Sequence, residues 1–184
     1  LQRAGELDAN RVTGTVITNS GLERALAAHG LVCERTKVGD MYVRERMKKS
    51  GAVLGGEPSG HIIYGKYATT GDGILTAVKV MEIMLGEKKR LSELLRGYTP
   101  LPQVLLNVPV FDKNAACAPS VQEKLREIER EYGMRVILRA SGTENVIRIF
   151  CEGENASDCR RAAGELKECV LAAARTETMR GGEE

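Results

Sequence analysis

Two short segments of this chain hold residue types that can do chemistry on a polar ligand. In the first, residues 55–61, Glu57, Ser59 and His61 stand two positions apart, and Pro58 stiffens the backbone between them. In an extended or turning backbone, side chains two positions apart project to the same side, so these three are expected to converge. Carboxylate, hydroxyl and imidazole groups offer acceptors and donors suited to neighbouring sugar hydroxyls. The segment predicts a sugar-binding loop, and the alternative is a surface β-turn with an incidental histidine.

The second segment joins two predicted strands and is rich in hydrogen-bond donors. It contains Arg139, Ser141, Gly142 and Thr143, and Arg148 returns past it on the next strand. Guanidinium groups bind phosphate in a bidentate manner, hydroxyls add donors, and glycine lets backbone N–H groups turn toward an anion. The segment predicts a phosphate-binding loop. A plain hairpin with solvated arginines is the alternative.

Charged residues also follow an earlier predicted strand, in the sequence Lys37-Val38-Gly39-Asp40. Ligands of α/β domains bind where such strands end, so Lys37 is placed to contact a phosphate or a sugar ring oxygen. For Asp40, ligand contact and a helix N-cap are equally good interpretations. The segment 70–73, with Asp72 between two glycines, is better explained as a helix start than as a metal loop.

Composition restricts the classes of partner. The 184 residues are 42% hydrophobic and 28% charged, carry a net charge of +2, and include 4% aromatic residues. Such a chain is globular, lacks the field that attracts nucleic acid or an anionic membrane, and has few rings for stacking on bases. We therefore expect a small polar ligand, with neither nucleic acid nor membrane as a partner.

Cysteine usage and the chain start suggest a cellular setting. The five cysteines contain no C-x-x-C pair, which favours a reduced, cytoplasmic protein. We find no signal peptide, and no apolar run approaches the ~20 residues that span a bilayer. The chain begins with Leu1 instead of methionine, in what resembles the end of a helix, so a fragment is expected.

The elements that must position these residues fall into two sets, separated by the Pro- and Gly-rich linker 97–102. In the first domain, 1–96, predicted strands alternate with predicted helices, which is typical of a parallel α/β layer. The strands are 13–18, 31–36 and 52–54, and the helices are 22–29 and 40–49.

A further helix, 73–85, carries one apolar stripe and is predicted to cover the sheet of the first domain. The stripe consists of Ile74, Val78, Met81 and Leu85.

The second domain, 103–178, has the order β-α-β-β-α, which predicts a smaller α+β domain with helices on one face of its sheet. Its long helix, 157–177, is expected to turn Cys159, Ala163, Leu166 and Val170 inward. Residues 179–184 are predicted to form a disordered tail. The predicted strands are 103–111, 135–139 and 146–152, and the first helix lies around 121–132.

Taken together, four motifs in this order resemble the α-D-phosphohexomutase superfamily over essentially the whole chain. They are Lys37-Val38-Gly39-Asp40, Gly56-Glu57-Pro58-Ser59-Gly60-His61, Thr70-Gly71-Asp72-Gly73 and the segment from Arg139 to Arg148. The resemblance implies that 1–96 is most of a third domain of the three-layer αβα type, incomplete at its start. It also implies that 103–178 is a fourth, phosphate-binding domain.

The resemblance carries roles onto matching positions. Glu57 and Ser59 would hold sugar hydroxyls, whereas His61 and Lys37 are the candidates for proton transfer. Asp40, where hexose mutases often have histidine, favours the branch of the superfamily that acts on glucosamine phosphate. The implied substrate-binding set is Lys37, Gly39, Asp40, Glu57, Ser59 and His61, and the implied phosphate-binding set is Arg139, Ser141, Gly142, Thr143 and Arg148.

The implied activity is the interconversion of glucosamine 6-phosphate and glucosamine 1-phosphate, through a phosphoserine and a bisphosphate intermediate, for UDP-N-acetylglucosamine and cell-wall synthesis. Neither the superfamily's serine loop nor its aspartate-rich Mg²⁺ loop has a counterpart in these 184 residues. The resemblance thus predicts that this chain binds no metal and does not turn over alone. Its expected partners are a sugar phosphate, the N-terminal domains of the same enzyme and a second copy in a homodimer.

Two alternatives stay open at this point. One is a phosphomannomutase or phosphoglucomutase, which belongs to the same superfamily and would act on a hexose phosphate. The other is a phosphosugar-binding module without catalysis.

Overall fold

The computed structural model describes residues 1–2, 5–7 and 9–180, with side chains to residue 175. The chain divides into two compact units, Leu1–Pro100 (unit 1) and Leu101–Glu184 (unit 2). This division falls within the segment 97–102.

Unit 1 contains a four-stranded mixed sheet in the order β2-β1-β3-β4. β1 pairs in parallel with both β2 and β3, and β4 pairs antiparallel with β3. The carboxyl ends of the first three strands therefore lie at one edge of the sheet, which we call the site edge. The strands are β1 (Arg11–Thr15), β2 (Val32–Thr36), β3 (Leu54–Gly56) and β4 (Ile62–Tyr64).

Two helices connect the parallel strands: α1 (Ser20–Ala27) leads from β1 to β2, and α2 (Asp40–Ser50) leads from β2 to β3. The two crossovers run in opposite directions along the sheet, and right-handed connections then place α1 and α2 on opposite faces. α2 ends at Gly51, whose φ of 75° is the left-handed conformation that suits glycine. The predicted alternation of strands and helices is confirmed.

The bounds of several strands in this sheet differ from the predicted ones. β1 begins two residues earlier than predicted, β3 lies two residues later, and β4 was not predicted. Both β3 and β4 have only three residues, too few for a period-two pattern to stand out.

The helix α3 (Gly73–Glu87) does not cover the sheet, so that prediction was wrong. Within the described chain it buries none of its residues, and Ile74 and Leu85 are 81% and 79% exposed. Helical periodicity reports that a helix has an apolar face, but it does not report what lies against that face. A short helix, α4 (Leu91–Leu94), follows.

Unit 2 is a three-stranded antiparallel sheet, in the order β5-β7-β6, with helices packed on one face. This arrangement confirms the predicted α+β class. α6 continues into the predicted tail and includes Met179 and Arg180, whereas residues 181–184 lie outside the described residues. The elements are β5 (Gln103–Pro109), a 3-10 helix (Lys113–Cys117), α5 (Pro119–Tyr132), β6 (Arg135–Ala140), β7 (Val146–Glu152) and α6 (Ala156–Arg180).

The core of unit 2 lies between the helices and the sheet. Ile147 and Ile149 project to it from alternate positions of β7, and they are fully buried together with Ile128 of α5. Burying a side chain of this size stabilises the fold by about 1.5–3 kcal/mol. The predicted inward face of α6 is confirmed, since its four members are fully buried: Cys159, Ala163, Leu166 and Val170.

The opposite face of this sheet carries one buried carboxylate. Glu152 is 2% exposed, and it stands opposite Gln103 on β5 and Arg135 on β6. Gln103 donates a hydrogen bond to this carboxylate, and Arg135 Nη2 lies 2.7 Å from Oε1. Because a buried carboxylate needs partners, this row fixes the relative register of all three strands.

None of the helices in the described part of the chain is long and apolar enough to cross a membrane.

Candidate functional site

The predicted sugar-binding residues lie at the site edge of unit 1 because of the strand directions. Lys37 follows the carboxyl end of β2, and Glu57 follows that of β3. His61 comes directly before β4, which begins at the same edge because it runs antiparallel to β3.

Three side chains of the loop 57–61 are brought together. The Ser59 hydroxyl donates to Glu57 Oε1 over 2.7 Å and lies 2.8 Å from His61 Nδ1. His61 Nδ1 is itself 3.2 Å from Glu57 Oε1. The backbone is a turn rather than an extended strand, since the Gly60 N–H donates to the Glu57 carbonyl and Gly60 has a φ of 96°.

These contacts assign donors and acceptors. A serine hydroxyl has one proton, and an ionised carboxylate only accepts. Because the Ser59 hydroxyl donates its hydrogen bond to Glu57, its oxygen must accept one from His61, which places the imidazole N–H on Nδ1. In the neutral ring, Nε2 then carries the free lone pair. The His61 side chain is 54% exposed, and that of Glu57 only 9%. The loop thus presents an imidazole acceptor to solvent and holds it from behind with a carboxylate.

Glu57 also connects this loop to the segment after β2. Its Oε2 accepts from the Gly39 N–H over 3.1 Å, and Gly39 has a φ of 129° that favours glycine. The Lys37 ammonium is exposed and lies 5.7 Å from the centroid of the Tyr42 ring. A carboxylate and a cation are therefore available at the site edge.

Asp40 does not cap α2, so the N-cap interpretation was wrong by one position. Gly39 is the N-cap residue, and Asp40 is the first residue of the helix, where its Oδ1 accepts from the Met41 N–H over 2.8 Å. The carboxylate is exposed and suits the positive end of the helix dipole.

The segment 70–73 supports His61. A Cβ at Gly71 would approach His61 Cβ to 3.1 Å, so glycine is what allows the close approach. Asp72 caps α3, as predicted, by accepting from the Leu75 N–H over 2.9 Å.

In unit 2, the β6–β7 hairpin places two arginines side by side. Arg139 stands opposite Arg148 in the strand register. Burial and the neighbouring charge of Arg148 lower the pKa of Arg139. Arg148 Nη2 lies 2.6 Å from Glu144 Oε2, whereas its buried Nε has no partner among the described residues. Two adjacent cations with one carboxylate leave positive charge that an anion would neutralise.

The loop 141–145 presents backbone donors beside these cations. Its ends are held, since the Ser141 N–H donates to the Val146 carbonyl and Ser141 Oγ accepts from the Glu144 N–H over 3.3 Å. Between those ends, the N–H groups of Gly142 and Thr143 donate to no described group, and both residues are exposed. An anion at the loop would satisfy them.

Gly142 lies at the exposed tip of this loop. Its φ is not positive, so the backbone does not demand glycine there. A Cβ at Gly142 would meet nothing within 4 Å. The missing side chain leaves the space above the loop open.

The sequence interpretation missed Lys113. Its ammonium donates to the Ser141 carbonyl over 3.0 Å, from the first residue of the 3-10 helix. The end of β5 lies beside the loop, where the Val110 N–H donates to the Asn145 carbonyl over 3.0 Å. A contact between residues 28 positions apart gives no local sequence signal.

Metal binding finds no support in the side chains that the structure describes. Among them, no three histidine, cysteine, aspartate or glutamate residues come together as a candidate ion site.

Comparison with known families and sequences gives matches over both units. Residues 1–101 match the family "Phosphoglucomutase/phosphomannomutase, alpha/beta/alpha domain III", and residues 105–168 match the family of the corresponding C-terminal domain. The phosphoglucosamine mutase of Lachnoclostridium phytofermentans is 45% identical over 90% of this chain and 38% of the relative. That of Corynebacterium glutamicum strain R is 45% identical over 92% of this chain and 39% of the relative. The chain thus spans about two fifths of the length of these curated relatives.

Solved structures show the same fold. An Aspergillus fumigatus N-acetylphosphoglucosamine mutase in complex with GlcNAc-6P and magnesium has a TM-score of 0.74 and 21% identity, and covers 89% of this chain and 39% of its own. The product complex of an N-acetylglucosamine-phosphate mutase of the α-D-phosphohexomutase superfamily has a TM-score of 0.77 and 18% identity, over 92% and 41% of the two chains.

Proposed function

Because this chain belongs to the phosphoglucomutase/phosphomannomutase family, we propose that it is the substrate-recognition part of a phosphoglucosamine mutase. The observation that carries the proposal is the anion loop of unit 2. This loop, residues 141–145, lies between the strands that carry Arg139 and Arg148, and its Gly142 and Thr143 N–H groups donate to no described group. The identity to phosphoglucosamine mutases supports the choice of substrate.

In unit 1 we assign sugar recognition to the site edge. Glu57 and Ser59 accept hydrogen bonds from sugar hydroxyls, and the exposed Nε2 of His61 takes or returns a proton. Lys37 and Asp40 contribute a cation and a carboxylate, and Gly39 shapes the loop that carries them. The hydrogen bonds among Glu57, Ser59 and His61 hold this set in one arrangement before a ligand arrives.

In unit 2 we assign a role to the anion loop: it binds the phosphate group of the substrate that does not take part in phosphoryl transfer. Two guanidinium groups bind a phosphate through paired N–H donors, and each hydrogen bond to a charged group contributes about 1.5–3 kcal/mol. The full phosphate-binding set is Arg139, Ser141, Gly142, Thr143 and Arg148.

Phosphoryl transfer needs groups that these units do not carry. In the whole enzyme, a phosphoserine would pass its phosphoryl group to the 1-hydroxyl of glucosamine 6-phosphate. The reoriented bisphosphate would then return its 6-phosphoryl group to the serine and leave as glucosamine 1-phosphate. A Mg²⁺ ion would supply stabilisation of the transferring charge. We expect the 184-residue chain by itself not to catalyse this interconversion.

The proposal also sets partners and place. The N-terminal domains of the same enzyme supply the serine and metal loops, and a homodimer is the expected assembly. Free cysteines, such as the exposed Cys117, fit a reducing cytoplasm. The product serves UDP-N-acetylglucosamine synthesis.

An assay of the full-length protein tests this function. We expect interconversion of glucosamine 6-phosphate and 1-phosphate, with mannose and glucose phosphates much poorer. Preference for either hexose phosphate would reassign the protein to the phosphomannomutase or phosphoglucomutase activity. Binding of sugar phosphates without interconversion of any of them would indicate a non-catalytic module.

A further inference from the structure

We propose that Lys113 is a positioning residue of the anion loop, which aims and polarises the Gly142 N–H and adds positive charge behind it. The inference rests on the proposed function, because it takes phosphate as the ligand of this loop. The motivating contact is the hydrogen bond of 3.0 Å from Lys113 Nζ to the Ser141 carbonyl.

The contact fixes the direction of a donor. The Ser141 carbonyl and the Gly142 N–H belong to one planar peptide group, and this bond is trans like every other described peptide bond. In a trans peptide the C=O and N–H bonds point in opposite directions. With the ammonium on the carbonyl oxygen, the Gly142 N–H points away from Lys113, and it donates to no described group.

The contact also strengthens that donor. Hydrogen bonds in series polarise one another, so an ammonium on the carbonyl makes the N–H of the same peptide a better donor. Lys113 thus acts through the peptide, in contrast to Arg139 and Arg148, whose own guanidinium groups face the ligand in our assignment.

The lysine is presented from a rigid base. Ala115 and Ala116 of the same 3-10 helix are buried in the core of unit 2. Asp112 closes the start of this helix by accepting from the Asn114 N–H over 2.8 Å. The side chain of Lys113 therefore extends from a fixed backbone to the loop, instead of sampling solvent as a surface lysine does.

Charge balance gives the lysine a second effect. The charged side chains here are Arg139, Arg148 and Lys113, together with Glu144, which lies on Arg148, and Asp112, which directly precedes Lys113. Lys113 adds one positive charge to this set while the Arg148–Glu144 ion pair is intact, and a doubly charged phosphate gains most from it.

Phosphate titrations of the 184-residue chain test the inference. The variants are Lys113→Met, which keeps an apolar stem, Lys113→Arg, which keeps a cationic donor, and the exposed Lys167→Met as a control with the same change in net charge. The Gly142 and Thr143 amide resonances are followed by ¹⁵N NMR as inorganic phosphate is added. Glucosamine 6-phosphate is then titrated in the same way.

We expect Lys113→Met to weaken phosphate binding about three- to tenfold at low ionic strength, and much less at about 1 M salt. The Gly142 resonance should shift in this variant before phosphate is added. Lys113→Arg should stay near wild type, and Lys167→Met should change neither quantity. If the Lys113 contact only stabilised the fold, Lys113→Met would lower the free energy of unfolding and leave the phosphate affinity and its salt dependence unchanged.

Two outcomes would overturn the inference in distinguishable ways. If Lys113→Met binds phosphate with the wild-type affinity, Lys113 has no positioning role, and the assignment of the anion loop to phosphate still stands. A wild-type chain whose loop resonances do not respond to either phosphate compound removes the proposed phosphate site, and this inference with it.

Discussion

The two units hold their candidate binding groups in place by different means. In unit 2 the anion loop extends from two strands whose inner faces belong to one continuous core that reaches every helix of the unit. In unit 1 the buried apolar residues form two small separate clusters, Val43, Met47, Ala52 and Ile63 in one, and Leu7, Val12 and Leu31 in the other.

The contrast extends to the loops themselves. The anion loop has few internal hydrogen bonds, so the strands on either side, together with Lys113 of the 3-10 helix, define its shape. In the loop 57–61 of unit 1, which we call the sugar loop, Glu57, Ser59 and His61 are hydrogen-bonded to one another. Glu57 also accepts a hydrogen bond from the Gly39 N–H. Order at a binding site thus comes from the scaffold in one unit and from the site's own side chains in the other.

The largest expected effect tests the scaffold of unit 2. Leu166→Ala removes a fully buried side chain of α6, and we expect it to lower the free energy of unfolding of unit 2 by about 2–5 kcal/mol. Urea unfolding of the 184-residue chain, with amide hydrogen exchange to separate the units, measures the effect. An equal loss of protection in unit 1 would contradict the separation of the two units.

The next effect tests whether the anion loop binds through its cations. Arg139→Ala should weaken sugar-phosphate affinity by about 1.5–3 kcal/mol in calorimetry, in the full-length protein. The free energy of unfolding should not fall, because burial and Arg148 already lower the pKa of Arg139, so its charged form is disfavoured by folding. Arg126→Ala, at an exposed position of α5, is the matched control.

An unchanged affinity in Arg139→Ala would remove the phosphate assignment.

A smaller effect tests the internal hydrogen bonds of the sugar loop. Ser59→Ala removes the hydroxyl between Glu57 and His61, and we expect a loss of about 1 kcal/mol in sugar-phosphate binding. Hydrogen exchange at the Gly60 and Gly39 amides should speed up, while unit 2 stays unchanged. Ser59→Thr keeps the hydroxyl and serves as the control. If exchange at these amides does not change, the scaffold of unit 1 defines the loop after all.

The smallest expected effect is that of a leucine-to-alanine substitution at an exposed position, for comparison with Leu166→Ala in the core. Leu85→Ala makes the same chemical change on α3, where the side chain is 79% exposed, and it should alter the free energy of unfolding by less than about 0.5 kcal/mol. The same urea experiment measures it. A cost close to that of Leu166→Ala would show that the apolar face of α3 is covered in solution.

The local sequence pattern was enough to predict the fold class of each unit and the close approach of the Glu57, Ser59 and His61 side chains. Strand and helix periods are properties of neighbouring residues, and the sugar loop spans only five positions. Contacts between distant positions gave no such signal: the Glu57 carboxylate on Gly39 joins residues 18 apart, and Lys113 on Ser141 joins residues 28 apart.

The prediction for α3 was wrong for a related reason. Its stripe of apolar residues has the period of a helix and says nothing about a covering partner.

The row formed by Gln103, the buried Glu152 and Arg135 makes the length of β7 matter for the binding site. Arg148 and Glu152 lie on the same face of β7, four residues apart, and each must meet its own partner on β6. An insertion or deletion of one residue between them would turn one of the two toward the apolar core. The fold tolerates changes of length in loops far more readily than here, where the spacing along β7 encodes the placement of the arginine pair.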